Sequence, residues 1–167
     1  MRIKRNRVCL AAALLALAAG VVWWGFLAPS GAWFQLYDRD SGRVVLSVPI
    51  QAGDQLQLEI EHSAEHFPWL EFYTVTGDLQ FNLDTIAVGG YGAGVPAEMS
   101  VPTRIEDGLV WMEDINSLFP YFSWITSNKY MKGFSINGVE VFDFRTLPDA
   151  SRIRGEIITT RGYLFRG

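Results

Sequence analysis

From residue 33 onward, polar and apolar residues alternate along most of this chain. A period of two places successive side chains on opposite faces of a strand, so the pattern predicts β structure. Residues 33–37 and 44–50 read as strands around the turn Asp38-Arg39-Asp40-Ser41-Gly42. After Ala52-Gly53-Asp54, the run 55–61 alternates without a break. Leu56, Leu58 and Ile60 share one face, and Gln55, Gln57, Glu59 and Glu61 share the other. Residues 72–76 and 79–88 flank Gly77-Asp78 and read as a hairpin with a two-residue loop. Asp107-Gly108 and Asn137-Gly138 are stronger signals of the same kind. The second predicts Phe134, Ile136, Val139 and Val141 on one face. A last strand is expected over 153–160. Together these elements predict an all-β fold, an antiparallel sandwich or a partly open barrel.

Two segments depart from the alternation. Residues 8–27 run for twenty positions without a charge, behind the basic segment 1–7 with Arg2, Lys4, Arg5 and Arg7. A helix of about twenty apolar residues spans the hydrocarbon core of a bilayer. The basic flank predicts a cytoplasmic N-terminus, and Trp23 and Trp24 suit the interface. The expectation is a single-pass protein of the inner (cytoplasmic) membrane. Its linker would be 28–31 and its β domain, 32–167, would lie in the periplasm or outside the cell. Ala16-Leu17-Ala18 leaves open a cleaved signal, which exports the same domain. The second departure is 114–131, rich in aromatics and interrupted by Pro120. It predicts a short helix or an aromatic loop over a sheet edge, with Phe119, Tyr121, Phe122 and Trp124 as a lid on the core or the lining of a groove.

Charge narrows the partners. The formal net charge is −4, but without the four basic residues of 1–7 there are 10 Lys+Arg against 18 Asp+Glu, or −8. Between Asp54 and Asp114 stand twelve acids and one base, Arg104. An acidic face repels phosphate, so nucleic acid is not an expected partner. Cys9 is the only cysteine, which leaves no internal disulfide and no cysteine-based metal motif.

The candidate chemistry gathers between residues 55 and 96. A two-residue Gly77-Asp78 loop sets Thr76 opposite Leu79, Phe72 opposite Leu83 and Glu71 opposite Asp84. Facing carboxylates repel and call for a proton, a cation or water. Glu71, Tyr73, Gln80, Asn82 and Asp84 would then share a polar face, with His62, Ser63, Glu65 and His66 at the end of the preceding strand. His62, Glu65, Glu71 and Asp84 form the candidate metal set, of a kind suited to zinc or manganese. In an extended strand, His62 and His66 stand too far apart to share an ion. Ser63 lacks a nucleophile-elbow setting. Gly92 and Gly94 open a small anion nest without a P-loop signature.

These motifs carry a resemblance. Ala52-Gly53-Asp54, His62-Ser63-Ala64-Glu65, Glu71-Phe72-Tyr73 and Gly92-Ala93-Gly94-Val95-Pro96 stand in the order found in the bacterial domain of unknown function 1850 family. Val95 and Ala64 replace the usual leucine and valine. The resemblance implies a small exported or membrane-anchored protein with no established activity. It also implies association with tripartite ATP-independent periplasmic solute transporters. The resulting expectation is a non-catalytic accessory or binding module without a cofactor, whose partner is a transporter component or a solute. A metal-dependent domain is the alternative.

Overall fold

The computed structural model describes residues 31–90 and 100–159, which form two antiparallel β-sheets. The expected basic segment, the membrane helix over 8–27 and residues 28–30 of the linker lie outside the described residues. Among the described residues no helix is long and apolar enough to cross a membrane. The smaller sheet contains β1 (Ala32–Asp38), β2 (Val44–Ile50), β9 (Tyr121–Ile125) and β12 (Arg152–Thr159), in the order β2-β1-β12-β9. The larger contains β3 (Gln55–Glu61), β4 (Pro68–Val75), β5 (Phe81–Val88), β6 (Thr103–Glu106), β7 (Leu109–Met112), β8 (Ser117–Phe119), β10 (Met131–Ile136) and β11 (Val139–Asp143). Its order is β11-β10-β3-β4-β5-β7-β6, with β8 paired to β5.

The inner faces of the two sheets meet through aromatic rings. Phe34 of β1 stacks on Phe134 of β10 at 5.1 Å and meets Phe81 of β5 edge-on at 5.7 Å. Phe122 of β9 stacks on Phe81 at 4.1 Å and meets Tyr73 of β4 at 4.9 Å. Leu36, Leu56, Leu58, Val75 and Ile153 fill the spaces between these rings and are fully buried. Gly155 is required where β12 passes beneath this layer: a Cβ there would lie 2.9 Å from Leu36 and 3.2 Å from the Phe34 ring.

The turn chemistry holds where the dipeptides are strongest. Asp107 and Gly108 (φ 52° and 77°), like Asn137 and Gly138 (50° and 76°), take the paired positive φ of a type I′ turn. Three expectations need correction. Ile136 does pair with Val139, but Phe134 pairs with Phe142, so Val141 is an extra residue in a bulge. Phe134 and Ile136 are buried, whereas Val139 is exposed. Residues 114–131 form no helix: they supply β8 and β9. Pro120, which has no N–H to donate, stands between them where the chain leaves the large sheet for the small one. Phe122 enters the core and Trp124 packs against it, while Phe119 and Tyr121 remain exposed.

The third correction concerns the hairpin at Gly77-Asp78. Its loop is wider than two residues. Thr76 N–H donates to the Gln80 carbonyl and Leu79 takes φ 58°. Val75 faces Phe81 and Tyr73 faces Leu83, but Phe72 faces Thr85 and Glu71 faces Ile86. Asp84 is thus the extra residue of a bulge, and Glu71 does not oppose it.

Candidate functional site

Alternation along β4 sends Trp69, Glu71, Tyr73 and Val75 to one face, and the burial of Tyr73 and Val75 identifies it as the inner one. Glu71 therefore projects inward, between Leu58 of β3 and Ile86 of β5. An inward carboxylate needs donors, and its neighbours two residues away supply them. Trp69 Nε1–H donates to Oε1 at 3.1 Å, and the Tyr73 hydroxyl donates to Oε2 at 2.5 Å. Burial first, then the charge of Glu71 and the hydrogen bond to it, push the Tyr73 phenol far above its ordinary range. The folded chain thus keeps a proton that the unfolded chain releases near pH 10. The resulting stabilisation is complete below about pH 10 and declines as pH rises above it.

His62 closes the end of β3. Its backbone N–H donates to the Phe67 carbonyl and its carbonyl accepts from His66 N–H, which folds 62–67 into a tight turn. The imidazole is 9 % exposed and lies parallel to the rings of Phe67 (4.7 Å) and Trp69 (6.3 Å). Its Nδ1 sits 2.5 Å from the Glu65 carboxylate, a separation that calls for the proton on Nδ1. The Ala64 and Glu65 amides, at 3.4 Å from the same nitrogen, are too distant to compete. His66 turns the other way, to Glu61 at 2.8 Å, and Lys132 reaches the second oxygen of Glu61 at 2.8 Å. These two contacts, Lys132 first, hold the Glu61 carboxyl below its usual range. The chain does bend after Ser63, yet the two imidazoles serve different partners. Ser63 is exposed on the turn, and among the described residues no hydrogen bond joins its hydroxyl to an imidazole.

The expected polar face is split in two. Glu71 and Tyr73 are on the inner side; Asn82 and Asp84 are on the outer one. The Asp84 carboxylate accepts from Thr74 Oγ1–H and from Asn82 Nδ2–H, both at 2.6 Å. The proposed metal set His62, Glu65, Glu71 and Asp84 therefore does not converge, because the sheet separates Glu71 from Asp84. Among the described residues no group of three or more His, Cys, Asp or Glu side chains is placed to hold an ion. Gly92 and Gly94 lie outside the described residues. The approach to them is visible: a Cβ on Gly89 would come within 2.8 Å of Phe67 Cβ and Pro68 Cδ. Only glycine lets the end of β5 pass this close to the His62 turn.

Two residues of this region escaped the sequence reading. Trp69 is the donor that fixes Glu71, and its spacing, two before the acid on a strand, was the available signal. Asp54, read only as a turn residue, is a long-range brace whose carboxylate accepts from Asn137 Nδ2–H at 2.9 Å.

The described residues thus define an antiparallel two-sheet β domain with an inward acid–aromatic cluster and an acidic, imidazole-bearing turn beside a glycine exit. The chain belongs to the family described as Domain of unknown function (DUF1850), which it matches over residues 56–142. That span contains the cluster, the turn and the glycine-rich segment. No curated protein and no solved structure matches the chain.

Proposed function

We propose that this protein is an accessory domain, held at the outer surface of the cytoplasmic membrane by its N-terminal segment, that assists a solute uptake system by binding a transporter component. The observation that carries this reading is how the motif residues use their polar atoms. Glu71, Trp69 and Tyr73 bond to one another, and the His62 ring turns inward to stack on Phe67 and Trp69, with Glu65 at its Nδ1. Such a set builds a rigid shape more readily than a reaction centre, and the shape it supports is the exposed 62–66 turn. Ser63, Ala64, Glu65 and His66 are its outward residues. Export read from the N-terminal sequence, together with the transporter association that the family resemblance implies, names the kind of partner. A rigid, acidic turn suits docking against a basic protein surface.

Affinity capture of the tagged full-length chain from detergent-solubilised membranes tests this. The membrane subunit of a tripartite ATP-independent periplasmic transporter is expected to co-purify. Ser63→Arg and Ala64→Arg, both on the exposed turn, are expected to reduce its recovery by about tenfold while leaving the fold intact. Recovery of the wild-type chain alone, or equal capture by the arginine variants, would count against the proposal.

A further inference from the structure

A second feature, on the opposite side of the large sheet, does not depend on the accessory reading. A groove of ≈ 390 Å³ runs over β3, β4, β5 and β7, with Gln57, Phe72, Thr74, Asp84, Trp111 and Glu113 in its lining. Its volume falls in the range of small-molecule sites. We propose that it binds a small organic cation bearing an alkylammonium group, with Asp84 as the counter-charge and Phe72 as the aromatic wall.

The bulge provides the first part of the argument. Asp84 is the unpaired residue between Leu83, opposite Tyr73, and Thr85, opposite Phe72. A bulge re-aims a side chain, and here it delivers a carboxylate to the groove. Thr74 and Asn82 hold that carboxylate in place, both through neutral donors. Among the described residues no Lys, Arg or His makes an ion pair with Asp84. The other acid of the groove differs: Glu113 takes Arg104 Nε–H at 3.1 Å. Arg104 is shared between Glu113 and Glu106, whereas the Asp84 carboxylate has neutral donors alone, so a cation at Asp84 is the ligand that completes the groove.

The aromatic wall selects the kind of cation. Phe72 and Trp111 lie two strands apart, and their rings meet at 5.7 Å and 22° across β5, where Ala87, opposite Trp111, is fully buried. Arg104 covers Trp111 from the β6 side at 4.7 Å. Trp111 is thus flanked on both sides, and the accessible ring is Phe72, toward its β3 partner Gln57. An alkylammonium satisfies both parts, its charge at Asp84 and its carbon chain or N-methyl groups along Phe72. A lone carboxylate beside an aromatic ring is a poor donor set for a divalent metal. A flat sugar ring stacks best on a bare indole face, which this wall does not offer.

The test titrates n-butylammonium into the full-length protein, with 1-butanol and glucose as neutral probes, followed by amide chemical shifts at low and high salt. Saturable shifts with n-butylammonium are expected at residues around Asp84. They should weaken with salt, and neither neutral probe should produce them. Asp84→Asn is expected to weaken binding by about tenfold or more. Gln57→Lys, a partly exposed substitution that brings a competing cation to the groove, is expected to do the same with an unchanged thermal transition. This variant keeps the test decisive if Asp84→Asn folds poorly. Glucose binding without n-butylammonium binding, salt-independent shifts, or an unchanged affinity in Gln57→Lys would overturn the proposal.

Discussion

Replacing Phe34 with alanine should lower the stability of the β domain by about 3–5 kcal/mol, the cost of emptying a fully enclosed phenylalanine site. Phe34 is 0 % exposed and touches the rings of Phe81, Phe122 and Phe134. Those neighbours come from both sheets, so the vacated volume lies at the joint between layers and cannot be refilled by moving one side chain. In a domain of this size, the loss corresponds to a fall in Tm of roughly 10–20 °C. Denaturant unfolding of the two proteins measures it. An equal slope with a displaced midpoint would locate the effect in the native core. A loss under about 1 kcal/mol would mean that the two layers do not meet at Phe34.

The second large effect is expected at Asp54, where alanine should cost about 2–3 kcal/mol, the range for losing hydrogen bonds to a charged acceptor. Asp54 is 9 % exposed, and each of its oxygens takes one donor: Gln51 N–H at 2.8 Å and Asn137 Nδ2–H at 2.9 Å. Asn137 in turn accepts from Gln55 N–H at 2.9 Å and donates its own N–H to the Gln55 carbonyl. One carboxylate thus ties the β2–β3 turn to the β10–β11 turn across more than eighty residues of sequence. Alanine would strand two donors in a poorly hydrated place. Asn137→Ala should reproduce part of the loss, and the double variant should lose less than the sum because both remove the same bond. Strict additivity would place the two turns apart.

Much of the architecture was written in the alternation, and the exceptions have local causes. The bounds of β2 and β3 follow directly from their period of two, since one face of each meets the core. β5 misled because its period changes partway. Phe81 and Leu83 are inward at odd positions, whereas Ile86 and Val88 are inward at even ones. That change of parity is the mark of an inserted residue, and it was visible in FNLDTIAV. The loop wider than Gly77-Asp78 already takes Phe72 off the Phe81-Leu83 face, and the inserted Asp84 then carries the pairing of Glu71 on to Ile86. In the segment 114–131, Phe122 and Trp124 do alternate with Ser123 and Ile125. Their aromatic richness and Pro120 hid a strand that the β12 pairing stabilises from a distance.

The candidate site was legible as a set of residues but not as an arrangement. His62 lies on the Leu56-Leu58-Ile60 face, as alternation requires, and is buried there. The roles of Trp69 and Asp54 depend on which side chain reaches which, and a single chain without its register does not reveal that. The outer groove depends on four strands meeting, so no local pattern announced it.

The central point is that Glu71 is turned inward and locked by Tyr73, and a double-mutant cycle of Glu71→Gln and Tyr73→Phe, read by denaturant unfolding, tests it most directly. A coupling of about 1–2 kcal/mol is expected for a charged, partly buried hydrogen bond. Losses that add to within about 0.3 kcal/mol would contradict it, because two side chains on opposite faces of the sheet have nothing to share.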